Sequence, residues 1–133
     1  MLAAVEELLR QGLTHFGAGQ YADAERLYQA ALETDPDNPD ALHLLGLVAG
    51  KTGEPNKAIQ LIQRAISGNP TTAFFHLNLG NAYRTTGNFI EATDCYRQAM
   101  SLDPNFAEAH GNMGDILVET GRLTEAMTCY REA

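Results

Sequence analysis

With 133 residues, 44% of them hydrophobic and 20% charged, the chain is long enough for one compact domain or a short repeat array and too apolar for wholesale disorder. Its formal net charge of -8 makes nucleic acid a poor partner, because binding a polyanion draws most of its affinity from Lys and Arg displacing counterions. No apolar run approaches a membrane span, and Glu6 and Glu7 interrupt the opening "MLAAVEELLRQGL" where a signal peptide needs a cationic lead and an unbroken apolar core, so a soluble, cytoplasmic chain without membrane contact is expected.

From its start the sequence repeats itself every 34 residues. Gly12 returns as Gly46, Gly80 and Gly114, and Gly19 returns as Gly53, Gly87 and Gly121. Ala24 recurs as Ala58, Ala92 and Ala126, Ala31 as Ala65, Ala99 and Ala133, and Pro36 as Pro70 and Pro104. Within a period, Leu42, Leu45, Gly46 and Ala49 step by three and four residues, as do Ala92, Tyr96 and Ala99, which predicts helices. Each period therefore holds two. The second glycine column supplies the turn between them, where a residue without Cβ takes positive φ, and the proline column ends the second helix at junctions such as "LETDPDNPDA" and "MSLDPNFAEA".

In chain order the units run at about 5–38, 39–72, 73–106 and 107–133, a single array over residues 1–133. The first places Gln11 and His15 where later units put Leu45 and Ala49 toward the core. The third carries the pattern most fully, in "FHLNLGNAYRTTGNFIEATDCYRQAMSLDP", and the fourth stops inside its second helix. The succession of leucine-glycine, tyrosine, turn glycine, alanine, aromatic, alanine and "DP" at this spacing resembles the tetratricopeptide repeat. The resemblance implies an all-α, right-handed α-solenoid of antiparallel helix pairs whose first helices line a concave groove. The family's usual tryptophan is replaced by Leu8, Leu42, His76 and His110. Such arrays need a polar closing element, and its absence suggests a fragment of a longer protein, or pairing of uncapped ends with another copy through Met127 and Tyr130.

The first glycine column is expected to meet the partner helix, where the alanines at 24, 58, 92 and 126 approach closely. Gly111 has no counterpart among Leu9, His43 and Leu77 and should face the groove. That surface reads as Leu9, Arg10, Leu13 and Phe16 in unit one, then Asp40, His43, Leu44, Leu47 and Lys51 in unit two. It continues as Phe74, Leu77, Asn78, Asn81, Arg84 and Thr85 in unit three, and Glu108, Asn112, Asp115 and Glu119 in unit four.

Asn78 and Asn112 share a register, and an asparagine amide both donates to and accepts from an extended peptide backbone. "FHLNLG" and "AHGNMG" resemble the asparagine-bearing repeats of O-linked N-acetylglucosamine transferases, which implies a peptide-holding ladder confined to these two residues, since Arg10 and Leu44 fill the column earlier. The candidate peptide-binding set is Asn78, Asn81, Arg84, Asn112, Asp115, Lys51, His43 and Phe74. A carboxylate clamp fits poorly, because Leu9, Leu13 and Phe74 stand where the clamp would put lysine or asparagine.

His76 and His110 fall one unit apart, near 10 Å, too far to share a metal ion, and read as interhelical fillers. Cys95 and Cys129 fill the column of Leu27 and Leu61, beyond the roughly 7 Å Cα reach of a disulfide, and read as free thiols. Tyr28, Tyr96 and Tyr130 recur as core residues with hydroxyls expected to reach the surface. There is no phosphate loop, no His-Glu-x-x-His pair and no serine, histidine and aspartate set, so neither catalysis nor a cofactor or metal is expected. The leading expectation is a module binding a protein or peptide in the groove. The alternatives are the substrate-recruiting arm of a larger glycosyltransferase-like enzyme and a self-associating scaffold.

Overall fold

The three-and-four spacing of the apolar residues does produce helices. The computed structural model describes residues 2–121 and 123–132, with side chains at 3–121 and 128–132, so the expectations placed on Ala126, Met127 and Ala133 lie outside the described side chains. Among the described residues there are eight helices and no strand: α1 (Leu2–Gly17), α2 (Tyr21–Thr34), α3 (Pro39–Lys51), α4 (Pro55–Gly68), α5 (Ala73–Thr85), α6 (Phe89–Leu102), α7 (Ala107–Glu119) and α8 (Leu123–Glu132). None is long and apolar enough to cross a membrane.

The helices form two compact units, Met1–Pro70 and Thr71–Ala133. In the first, α1 pairs with α2 and α3 with α4, while α2 also packs on α3; in the second, α5 pairs with α6, α7 with α8, and α6 packs on α7. The pairs are antiparallel, as Phe16 meeting Tyr21 beside one turn and Gly12 meeting Tyr28 farther along require.

The turn glycines behave as the sequence predicts. Gly19, Gly53, Gly87 and Gly121 have φ of 77, 83, 81 and 79°, the left-handed region that an L side chain enters only at a cost. This geometry lets the residue after the glycine donate back into the last turn of the helix: Gln20 N–H to the His15 carbonyl (2.8 Å), Glu54 to Ala49 (2.8 Å) and Asn88 to Tyr83 (2.9 Å). Carbonyls that the helix end would orphan are thereby satisfied. At the first junction the side-chain carbonyl oxygen of Asn38 accepts from Ala41 N–H at 2.9 Å, with Pro39 in the first turn of α3.

The first glycine column does meet the partner helix where the alanines approach, and the structure adds which atoms make the contact. The glycines at 12, 46, 80 and 114 face not an alanine methyl but the side chain one turn beyond it: a Cβ on Gly80 would lie 2.6 Å from the Tyr96 ring, one on Gly114 2.6 Å from Tyr130, and one on Gly46 2.8 Å from Ile62. The alanines matter through their backbone, with the carbonyls of Ala58 and Ala92 3.3 and 3.2 Å from the Cβ positions at Gly46 and Gly80. The tyrosine hydroxyls, against expectation, do not all reach the surface. Tyr28 is 0% exposed and its hydroxyl has no hydrogen-bond partner among the described residues, whereas Tyr96 and Tyr130 turn theirs onto side chains of the preceding helix.

Candidate functional site

On α5, Asn78, Asn81 and Arg84 recur every three residues and so share a face; on α7, Asn112, Asp115 and Glu119 step by three and four to the same effect. The second unit brings these two faces together. Asn112 donates from Nδ2 to Asn81 Oδ1 at 3.0 Å, and the Tyr96 hydroxyl of α6 donates to the same oxygen at 2.6 Å. Arg84 pairs with Glu119 one turn on and lies 3.9 Å from Asp115. Asp115 in turn accepts from the Tyr130 hydroxyl at 2.6 Å. The result is a continuous polar seam across four helices.

The electrostatics follow from these pairings. The Glu119 carboxylate holds the Arg84 guanidinium charged, raising its pKa further. One cation against Asp115 and Glu119 leaves the seam with an excess negative charge. Burial, more than any neighbouring charge, pushes the Tyr96 phenol up to about 12, so it remains a donor at neutral pH. The hydrogen bond to Asp115 likewise raises the Tyr130 phenol. A cavity of about 440 Å³ opens beside the seam, lined by Asn81, Arg84, Thr85, Phe89 and Glu119.

Asn78 is half-buried one turn before Asn81. A Cβ on Gly111 would meet nothing within 4 Å, so there is open space beside it. Phe74 is 52% exposed at the start of α5, its ring 5.3 Å from Phe106. Of the candidate residues, then, the second unit joins Asn81, Asn112, Arg84 and Asp115 by direct contacts and places Asn78 and Phe74 on α5 with them.

His43 and Lys51 belong to the first unit. Lys51 is exposed in the last turn of α3, where a cation favours the helix dipole. His43 lies on the first-helix face where its register puts it, lining a cavity there, but it is buried rather than open. It is 7% exposed, and burial pushes its imidazole down to about 4, leaving it neutral. It forms one wall of a cavity of about 410 Å³ whose other walls are Leu9, Leu13, Leu44, Glu6, Arg10 and Asp40.

His76 is buried, and His110 donates from Nε2 to the Pro104 carbonyl at 2.9 Å, tying α7 to the junction before it. Among the described residues no group of His, Cys, Asp and Glu is placed to hold a metal ion. Cys95 and Cys129 are half-buried thiols outside any disulfide, and burial pushes the Cys95 thiol up to about 11. The tyrosines are the part of the seam that sequence reasoning missed. Their signal was present as a shared spacing of 15 residues in the pairs Asn81–Tyr96 and Asp115–Tyr130.

The profile of a family described as Cilia and flagella-associated protein 70 C-terminal domain matches residues 2–133. Among solved structures, MamA is 28% identical with a TM-score of 0.88, over 96% of this chain and 75% of that one. An O-GlcNAc transferase of Thermobaculum terrenum is 29% identical with a TM-score of 0.89, over 98% of this chain but only 26% of that one. A tetratricopeptide-repeat protein of Thermus thermophilus aligns with a TM-score of 0.86 over 97% of this chain and 72% of that one; at 24% identity the likeness is one of fold alone. None of the curated proteins compared with the chain matches it.

Proposed function

The chain belongs to the tetratricopeptide-repeat family described as Cilia and flagella-associated protein 70 C-terminal domain, and from that premise we propose that it binds a peptide segment of a partner protein along the α5–α7 face. Proteins of this fold are generally protein-interaction scaffolds, and the fold is typically non-catalytic. The observation that carries the finer reading is the arrangement around Asn112. One amide hydrogen is committed to Asn81, which holds the side chain, while its carbonyl oxygen and second amide hydrogen form no hydrogen bond among the described residues, and the neighbouring Gly111 leaves open space around its own position. An asparagine already held in one rotamer loses little entropy on pairing with a peptide backbone.

Asn78 and Asn112 make the backbone contacts in this reading. Asn81 holds Asn112 in place, Arg84 and Asp115 form a charged pair on the same two helices, and Phe74 offers an exposed apolar ring at the start of α5. Peptides selected from a display library against the whole chain provide the test. Asn78→Ala combined with Asn112→Ala lowers their affinity about tenfold, read by fluorescence anisotropy, with thermal unfolding confirming the fold. Unchanged affinity removes the asparagines from the site.

A second reading draws on the likeness to the O-GlcNAc transferase: the chain recruits substrates for a larger glycosyltransferase-like enzyme. Sequencing the gene beyond the codon for Ala133 tests it, since a nucleotide-sugar domain in the same reading frame supports this reading and a nearby stop codon overturns it.

A further inference from the structure

We propose that the first unit carries a separate docking surface, between α1 and α3, for a basic amphipathic segment of a partner protein. The surface is the 410 Å³ cavity walled by Leu9, Leu13, Leu44 and His43. Leu13 is 49% exposed, an unusual burden for a leucine in a cavity wall unless something covers it. The volume suits one or two large side chains. The apolar walls thus set one requirement on the occupant, an aliphatic or aromatic anchor.

The rim sets the other. Three ionisable side chains line it, Glu6, Arg10 and Asp40. The Arg10 guanidinium is committed to Glu7 through a 2.9 Å bond from Nε and a second, shorter contact. Glu6 and Asp40 are exposed and form no ion pair among the described residues. His43 adds no charge at neutral pH, its ring being buried and neutral. The cavity therefore presents leucines ringed by two unspent carboxylates. Lysine and arginine fit such a place doubly, laying an alkyl stem on the leucines while the cationic head reaches the rim. A second copy of this chain is disfavoured as occupant by its own net charge of -8. Peptide backbone plays no part in this recognition, so the surface stands apart from the asparagine reading of the second unit.

The test uses a fluorescein-labelled peptide with leucine and arginine at helical three-and-four spacing, and a twin in which every arginine is glutamate. The arginine peptide binds with an affinity that falls as salt is added, and the glutamate twin does not bind. Glu6→Lys with Asp40→Lys weakens the arginine peptide about tenfold or more. Leu13→Glu weakens it as well, and Asn78→Ala with Asn112→Ala leaves it unchanged. Glu6, Leu13 and Asp40 are exposed, so their variants keep the fold, and thermal unfolding checks this for them and for the half-buried asparagine pair. Equal binding of the two peptides, or full affinity in the charge-reversed variant, overturns the proposal. So does a dimer by light scattering that Leu13→Glu dissolves, since it makes a second copy the occupant.

Discussion

The two units carry the same helices around different chemistry at one register. In the first, Leu13 and Leu47 stand where the second has Asn81 and Asp115, and the residues fifteen positions later are Tyr28, Ile62, Tyr96 and Tyr130. Asn81 with Tyr96 and Asp115 with Tyr130 are hydrogen-bonded. At the same register the sequence of the first unit offers only leucine opposite Ile62 and Tyr28, and the Tyr28 hydroxyl is buried with no hydrogen-bond partner among the described residues. The repeat thus sets where side chains meet, and each pair must still be matched in polarity on its own. A second contrast lies one turn away, where the first unit buries His43 and the second buries Leu77 at the equivalent position.

The largest expected effect separates the units by pH. Burial lowers the His43 imidazole from an ordinary 6.5 to about 4, so the unfolded chain takes up the proton first as the pH falls. Its contribution to stability is therefore complete above about pH 6.5, is lost progressively as the pH drops toward 4, and amounts to about 3 kcal/mol at most. His43→Leu copies the second unit at this place and should flatten that part of the pH profile of chemical denaturation. An unchanged slope between pH 6.5 and 4 in the variant would mean that His43 is protonated in the folded chain.

The close helix approach gives the next effect. A methyl on either glycine crowds a carbonyl, Ala92 at 3.2 Å for Gly80 and Ala58 at 3.3 Å for Gly46, but on Gly80 it also meets two atoms of the rigid Tyr96 ring, at 2.6 and 2.8 Å, whereas on Gly46 it meets one aliphatic carbon, Ile62 Cγ1, at 2.8 Å. Gly80→Ala should cost about 1–3 kcal/mol by overpacking, even after alanine's better helix propensity is counted. Gly46→Ala should cost less. Equal melting temperatures for the two variants would show that the tyrosine ring yields as readily as the isoleucine.

Much of this was readable beforehand, and for identifiable reasons. The turn glycines, junction prolines and alternating helices depend on local geometry, so their residue types mark them directly, as the four positive φ values at Gly19, Gly53, Gly87 and Gly121 bear out. The face of a helix is likewise local, and Asn78, Asn81 and Arg84 fall on one side of α5 by arithmetic. What helical spacing cannot supply is which partner a polar side chain takes across a helix boundary. Asn112 reaches back 31 residues to Asn81, and Arg84 reaches forward 35 to Glu119, choices made by rotamers rather than by register. His43 illustrates the same limit: its position on the helix was plain, its burial was not.

The smallest effect is the most discriminating, because its sign should differ between the units. Tyr96→Phe removes a donor from Asn81 and should destabilise by about 1 kcal/mol, the net worth of a typical buried hydrogen bond. Tyr28→Phe removes a hydroxyl that is desolvated and unpaired, so nothing is lost and the desolvation cost disappears; stability should hold or rise by about 1 kcal/mol. Leu13→Asn, which gives the first unit the residue that serves Tyr96 in the second, should abolish that advantage by supplying the missing acceptor. Chemical denaturation of the two phenylalanine variants, with and without Leu13→Asn, reads all three expectations. If Tyr28→Phe costs as much as Tyr96→Phe, the Tyr28 hydroxyl has a partner after all, and the contrast between the units reduces to composition.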